Sequence, residues 1–256
     1  MQKSIPTWIK PALYLQDKLL FEVPGEKRIK IAWPINFAKI TFLFIILGMM
    51  AYFDNFTVGA WVYVALQGIY GYCWLIKAFG FPDHRWEQRI SVGGTLMIVL
   101  LVALPYLTIP YLFMSQHVIP SNFDLFFAVC LHTVGVVLMT AADCQRHFTL
   151  KYHKGLITEG LYKYTRNPNY LGEIMLYGAY VYLADHWLAW GVLIYATLFL
   201  FLPNMLRKDA SISRHPGWDD YARQSSLLFP WAILTGRAFL RTPAEPAAVH
   251  CEDAQT

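Results

Sequence analysis

The stretch VGGTLMIVLLVALPYLTIPYLFM, at residues 92–114, holds no charged side chain. A helix of this length reaches roughly 34 Å at ~1.5 Å per residue, and the hydrocarbon core of a bilayer is about 30 Å thick. Because lipid offers no partners to backbone amides, such a run predicts a membrane-spanning α-helix. Similar apolar runs lie at 36–53, 58–79, 123–142 and 187–206.

The composition points to the same class. Of 256 residues, 56% are hydrophobic and only 15% are charged, whereas soluble domains carry about 25% charged residues. A sixth apolar run, Tyr170–Ala184, is short, and we expect it to form a tight hairpin with 187–206. The sequence therefore predicts an all-α polytopic membrane bundle of about six transmembrane helices that ends in a C-terminal helical hairpin.

The distribution of basic residues predicts the orientation. The expected outer loops, Asp54–Thr57, Ser115–Ser121 and Asp185–His186, contain none of the 21 Lys and Arg residues. Because cytoplasmic loops carry an excess of Lys and Arg, both termini are predicted to be cytoplasmic. A bacterial inner membrane and the endoplasmic reticulum fit equally well. Since the positive charge flanks helices, we do not expect nucleic acid as a partner.

Four parts follow along the chain. We expect an N-terminal interfacial segment at 1–35, a four-helix membrane part on the substrate side at 36–142, a cofactor-binding part at 143–231 and a disordered tail at 232–256. The third part opens on a basic, aromatic segment that leads to Asn167-Pro168, a typical start for a helix. Helix N-termini favour anions, so phosphate is the obvious ligand, but positive-inside charge without a ligand explains the same residue types.

Glu173 is the candidate for chemistry in the hairpin. It shares a helix face with Tyr170, Tyr177 and Tyr180, at steps of three and four. A carboxylate inside a membrane hairpin is costly unless it is paired or hydrated, which favours a functional role. A cap at the helix start is the structural alternative.

A second stripe of polar and aromatic side chains lies on the predicted span 58–79. A stripe of this kind faces the bundle or a cavity, so it either lines an active site or packs helices together. Its members are Tyr63, Gln67, Tyr70, Trp74 and Lys77.

The segments Gly160-Leu161-Tyr162 and Arg166-Asn167-Pro168-Asn169-Tyr170-Leu171-Gly172-Glu173 resemble the C-terminal signature of the membrane steroid 5α-reductase and Δ14-sterol reductase superfamily. A similar downstream pattern occurs at Arg207, Asp209, Gly217, Trp218, Tyr221 and Pro230. The resemblance covers about a third of the chain. Asn167, where His is common, and Leu176-Tyr177, where Glu-Trp is usual, depart from the steroid branch.

This resemblance implies an NADPH-dependent reductase of a C=C bond in a hydrophobic lipid or sterol-like substrate, which would enter from the bilayer. Glu173 would orient the substrate or relay a proton, and Tyr70 or Tyr177 would donate a hydrogen bond to a developing oxyanion. No metal site is expected. The implied cofactor-binding residues are Asp143, Arg146, Lys151, Tyr164, Arg166, Asn169, Tyr170, Glu173, Arg207, Asp209, Trp218 and Tyr221.

The alternative is a membrane methyltransferase that uses S-adenosylmethionine, because isoprenylcysteine and phospholipid methyltransferases share an Arg-His-Pro-x-Tyr-x-Gly core. Those enzymes usually lack the Glu found here at Glu173, and they carry a Glu-Glu pair where this chain has Lys208-Asp209. S-adenosylmethionine also has no phosphate for the basic residues to bind. A third possibility is a membrane scaffold or transporter that binds neither cofactor. The oligomeric state is open.

Overall fold

The structure, a computed structural model, describes residues 3–235 and is mostly helical with little strand. Of the predicted tail at 232–256, residues 236–256 lie outside the described part. Short 3₁₀ turns occur at Thr7–Ile9, His84–Glu87 and Gly160–Tyr162. The helices are α1 (Lys10–Phe21), α2 (Ala32–Tyr52), α3 (58–80), α4 (Val92–Ser115), α5 (Asn122–Tyr152), α6 (Pro168–Ala184), α7 (Trp187–Ile212), α8 (Trp218–Gln224) and α9 (Trp231–Leu234).

Every apolar run predicted to be a span is helical, which confirms an all-α bundle of membrane character. Four helices are long and apolar enough to cross a membrane, namely α2, α4, α5 and α7. Crossing by α3, which contains a π-helical turn, and by the 17-residue α6 stays a prediction, as do the cytoplasmic termini. The proposed division into four parts also stays a prediction.

Helix α5 is much longer than the run that predicted it. It has 31 residues, about 46 Å at ~1.5 Å each, and begins at a capping box made by Ser121 and Asp124. The predicted run stopped at residue 142, yet the polar residues that follow continue the helix to Tyr152. As a result, Asp143 and Arg146 are presented from a rigid helix rather than from a loop.

Two helices contain π-helical turns close to a proline. In α4 the π turn Val99–Ala103 precedes Pro105, and in α7 the turn Ala196–Phe201 precedes Pro203. A proline has no N–H to donate to the carbonyl four residues earlier. In α4 that carbonyl belongs to Leu101, and it accepts a hydrogen bond from the Tyr195 hydroxyl of α7 at 3.2 Å.

The corresponding carbonyl in α7 is that of Phe199, which accepts a hydrogen bond from the side-chain amide of Gln16 in α1. A side chain from another helix therefore compensates for each of these two missing helical hydrogen bonds. These bonds connect α1, α4 and α7 where the helices are irregular.

A two-stranded antiparallel ladder joins distant parts of the polar side. β1 (Ile29–Lys30) pairs with β2 (Arg89–Ile90), with Ile29 opposite Ile90. The sequence did not predict these strands because two residues are too few to show an alternating pattern. The ladder fixes the loop between α3 and α4 against the segment that leads into α2.

Helices α5 and α6 form the most extensive contact between the described helices, and their backbones approach closely. A Cβ added to Gly135 of α5 would lie 2.7 Å from the backbone oxygen of Gly172 in α6, and a Cβ on Gly172 would lie 2.5 Å from the Gly135 oxygen. Small residues permit this approach of two backbones, as in other membrane helix pairs. The contact places the start of α6, with Glu173, beside the polar part of α5.

Gly135→Ala should therefore lower the free energy of unfolding by about 1–3 kcal/mol, because the added methyl group meets backbone that cannot move aside. Gly178→Ala is the matched control, since its Cβ would lie 3.7 Å from a Leu131 methyl group, an ordinary contact. Both substitutions gain the same helix propensity. Thermal unfolding of the purified variants in detergent measures the difference, and equal stability of the two would contradict this packing.

Candidate functional site

Charged side chains of alternating sign follow one another through the interior. Asp83, in the loop between α3 and α4, lies 2.7 Å from Arg146 of α5. Arg146 lies 3.4 Å from Asp143, one helical turn earlier. Asp143 forms a close ion pair with Lys77 of α3, and the two side chains are only 4% and 9% exposed. These contacts connect the loop, α5 and α3.

Glu173 continues this series from the first turns of α6. Its carboxylate interacts electrostatically with Lys77 and with Lys39 of α2. Glu173 is largely enclosed by the bundle and keeps only partial solvent accessibility. We call the six residues the charge row: Asp83, Arg146, Asp143, Lys77, Glu173 and Lys39.

The alternation of sign along the charge row lowers the free-energy cost of burying these charges. An isolated charge in an apolar interior is strongly unfavourable, and pairing with a charge of opposite sign offsets much of that cost. Each member of the row has a neighbour of opposite sign on at least one side. The arrangement keeps a carboxylate, that of Glu173, deep in the bundle, where it can hold or pass a proton.

A second group of cations surrounds a small pocket, which we call the cationic pocket. It has a volume of about 60 Å³ and lies between the end of α5, the segment at 155–166 and the end of α7. No carboxylate is among the described residues on its wall. Its polar lining consists of Arg146, Tyr162, Arg166, Lys208 and Tyr221.

Arg166 is the most constrained of these cations. Its Nε donates to an Asp209 carboxylate oxygen at 3.0 Å, and its Nη1 donates to the backbone oxygen of Ser225 at 2.5 Å. The guanidinium also lies 5.5 Å from the ring centre of Trp218. A buried guanidinium held by an acid, a carbonyl and an aromatic face has one orientation, so the charge it presents to the pocket is fixed.

Lys208 and Tyr221 complete the wall of the cationic pocket. The Lys208 Nζ donates to the Arg166 carbonyl at 2.6 Å and to the side-chain oxygen of Asn167 at 3.2 Å. The Tyr221 hydroxyl donates to the Tyr162 carbonyl at 2.8 Å. These bonds tie α7 and α8 to the turn that precedes α6.

Protonation states outside the predicted spans follow from burial and neighbouring charge. Burial alone would raise the pKa of the Asp83 carboxyl, but hydrogen bonds and charge from Arg85 and the charge of Arg146 lower that pKa well below its usual value. Burial raises the pKa of the Tyr221 phenol to about 12, and it also raises the pKa of Tyr162. Near neutral pH, Asp83 is therefore ionised, and both phenols keep their protons.

The structure brings most of the predicted site residues together. Arg146, Arg166 and Tyr221 line the cationic pocket, and Asp209 and Trp218 hold Arg166 from behind. Asp143 and Glu173 belong to the charge row.

The predicted residues near the start of α6 also lie close to this region. Asn169 is buried, and Tyr170 packs 5.2 Å from the ring of Phe201. The two predicted donors, Tyr70 and Tyr177, face each other with ring centres 6.1 Å apart.

Three predicted residues lie elsewhere. Arg207 pairs with Asp17 of α1 at 2.9 Å and is not among the residues that line the cationic pocket. Lys151 is exposed and covers the ring of its neighbour Tyr152. Tyr164 is half-buried and contributes its backbone carbonyl to Ser226 rather than its side chain to the pocket.

Three residues of the site, Lys39, Asp83 and Lys208, are additions to the predicted set, whereas Lys77 belongs to the predicted polar and aromatic stripe. Helix α2 begins at Ala32, so Lys39 lies two turns inside the helix, and it is buried. Asp83 and Lys208 lie in polar segments that gave no sign of burial. A single Lys within a long apolar helix is the one signal that pointed to Lys39.

Within residues 3–235, no group of three or more His, Cys, Asp or Glu side chains could hold a metal ion. The His132 Nε2 of α5 lies 3.1 Å from the Tyr180 hydroxyl of α6, so this histidine has a hydrogen-bond partner within the bundle.

Comparison with known proteins gives one match. A family model described as "Protein of unknown function (DUF1295)" matches residues 24–210, which cover α2 to most of α7. No curated protein and no solved structure matches the chain. The matched region includes the whole charge row and both predicted donors. On this match the chain belongs to the DUF1295 family, a family of membrane proteins related to the steroid 5α-reductase superfamily.

Proposed function

We propose that this protein is a membrane-embedded, NADPH-dependent reductase of a C=C bond in a hydrophobic substrate. One observation carries the proposal: Arg146, Arg166 and Lys208 line one small pocket, and Arg146 also belongs to the charge row that leads to Glu173. A site for phosphate thus lies next to a buried carboxylate. Both lie in the region that resembles the reductase signature.

The residues present suit a phosphorylated dinucleotide. Arg146, Arg166 and Lys208 would hold a phosphate group, for which guanidinium and ammonium groups are the usual partners in proteins. Asn169, at the start of α6, has a buried side-chain oxygen with no hydrogen-bond partner among the described residues. Buried polar atoms are nearly always satisfied, so this oxygen is suited to accept a hydrogen bond from a ligand N–H, such as that of a carboxamide.

When bound, NADPH supplies a hydride. The protein would position the substrate, polarise it by hydrogen bonding and supply a proton. Glu173 would hold or pass the proton, because it is accessible and lies among the buried ammonium groups of Lys39 and Lys77. Tyr177, one turn after Glu173, lines an apolar cavity, and its hydroxyl would donate a hydrogen bond to an oxygen of the substrate. Tyr70, whose ring faces that of Tyr177, is the second donor.

The site would face the cytoplasm if the basic segments lie inside, as the positive-inside rule predicts. All six apolar helices would then cross a bacterial inner membrane or the endoplasmic reticulum membrane. The substrate would be a hydrophobic small molecule that arrives through the bilayer.

Isothermal titration of the purified full chain in detergent separates the reductase from the methyltransferase alternative. We expect micromolar binding of NADPH and no binding of S-adenosylhomocysteine, because the cationic pocket recognises phosphate. Lys208→Met should weaken NADPH binding about tenfold, the usual effect of losing a charged hydrogen bond. Lys154→Met, an exposed lysine outside the pocket, is the matched control. Binding of S-adenosylhomocysteine but not NADPH would replace the proposal with the alternative.

Glu173→Gln should abolish NADPH oxidation in the presence of a total lipid extract while leaving NADPH binding within about twofold, since the amide keeps its size but cannot carry a proton. Glu159→Gln, at an exposed carboxylate in the loop before α6, is the control and should keep full activity. Stopped-flow absorbance follows the oxidation. Undiminished turnover of Glu173→Gln would remove Glu173 from the chemistry.

A further inference from the structure

An apolar cavity of about 120 Å³ lies between α2, α4, α6 and α7. Most of its wall is aliphatic, with side chains such as Ile98, Val102 and Leu193. Its polar lining comes from Lys39, Tyr106, Tyr177 and Tyr195, and Lys39 is the one charged residue among the described side chains that form the wall. The cavity therefore combines a hydrocarbon-like interior with a single positive charge.

The cavity reaches the lipid-facing surface of the bundle. Val99 and Val102 of α4 are part of its wall and are 38% and 43% exposed. The π-helical turns of α4 and α7 flank this opening, and residues of both turns line the cavity. Turns of this type often occur at functional sites because they widen a helix locally. A ligand dissolved in the bilayer can reach the cavity between α4 and α7.

Lys39 lies on the cavity wall without a direct partner. The residue is 8% exposed, and no described residue accepts a hydrogen bond from its Nζ or forms an ion pair with it. Glu173 and Lys77 influence it electrostatically from farther away, and Lys77 already pairs with Asp143. An ammonium group in an apolar interior is unfavourable unless an anion pairs with it or an acceptor takes its hydrogen bonds.

Aromatic rings enclose the ammonium group instead. The Nζ lies 4.4 Å from the ring centre of Tyr70, 5.0 Å from that of Tyr106 and 5.3 Å from that of Trp74. Cation–π contacts of this kind stabilise the charge and leave its hydrogen-bond donors unused. The rings hold the ammonium group in place, and the cavity provides the space for an acceptor.

The backbone keeps Lys39 in this position. A Cβ on Gly71 of α3 would lie 2.1 Å from the Lys39 carbonyl oxygen, so α2 and α3 touch backbone to backbone at this level. Helix α2 therefore has little freedom to rotate and turn the lysine towards lipid. Unlike a lysine near a helix end, Lys39 cannot extend to the membrane surface.

We propose that this cavity binds the anionic head group of a single-chain hydrophobic acid taken from the bilayer. Lys39 would pair with the carboxylate, and the side chains of Tyr106 and Tyr177 form part of the same wall. A cavity of about 150 Å³ holds a molecule the size of benzene, so the head group and a few carbons fill this one. The remaining chain lies between α4 and α7 against lipid.

The cavity can bind such an anion whether or not the protein is a reductase. The role of the anion as the substrate of a reductase rests on the proposed function. A rigid four-ring sterol exceeds the cavity volume. A flexible chain with a carboxylate end matches the aliphatic wall and the one charge, and the part of the chain that exceeds the cavity can leave it between α4 and α7. The substrate class that the site selects is therefore an unsaturated single-chain acid.

Binding of radiolabelled myristate to the purified full chain in a non-ionic detergent near neutral pH tests the proposal, with 1-tetradecanol as the neutral competitor of equal chain length. Unlabelled myristate should displace the label at a concentration about tenfold lower than tetradecanol does. If the acid and the alcohol displace the label at equal concentrations, the proposal is wrong, and no result with a Lys39 variant would change that.

Lys39→Met keeps the length of the side chain and removes its charge, so it should abolish the tenfold preference while tetradecanol still binds. Lys39→Arg should retain the preference in part, and Lys18→Met, at an exposed lysine of α1, should retain it fully. An undiminished preference in Lys39→Met would place the anion elsewhere and overturn the assignment. NADPH titration of the same wild-type preparation tests the proposed reductase separately, so either idea can fail alone.

Discussion

Asp143 and Lys77 form an ion pair that solvent hardly reaches, in a bundle whose outer surface is apolar. Separated in such an interior, each charge would carry a desolvation penalty of several kcal/mol. The pair therefore favours the one arrangement of α3 and α5 in which both groups meet. The approach of α5 and α6 at Gly135 and Gly172 then places Glu173 beside the pair.

The pair also lies between two sites of different character. On one side, Arg146 connects it to the cationic pocket and, through Asp83, to the loop that the β-ladder fixes. On the other side, Glu173 and Lys39 connect it to the apolar cavity. A cationic pocket and an apolar cavity joined by a row of charges would suit the proposed lipid reductase, because its two ligands would come from water and from the bilayer.

The sequence predicted the helices well because each apolar run is a local property of the chain. It also predicted Arg166, Asp209 and Tyr221, which the structure brings together. Arg207 lies apart from the cationic pocket for a geometric reason. Residues two apart on a helix point in different directions, so when Asp209 faces Arg166, Arg207 faces Asp17 on α1. Lys39 and Lys208 were outside the predicted set because their burial depends on segments far away in the chain.

An experimental density map of the full chain in lipid nanodiscs with NADPH tests this account most directly. We expect Arg146, Arg166 and Lys208 to converge on density for a phosphate group. Lys77 should pair with Asp143, and the side chain of Glu173 should lie between this pair and Lys39. Cationic side chains that turn into solvent, with no cavity between them and the bilayer, would contradict the account.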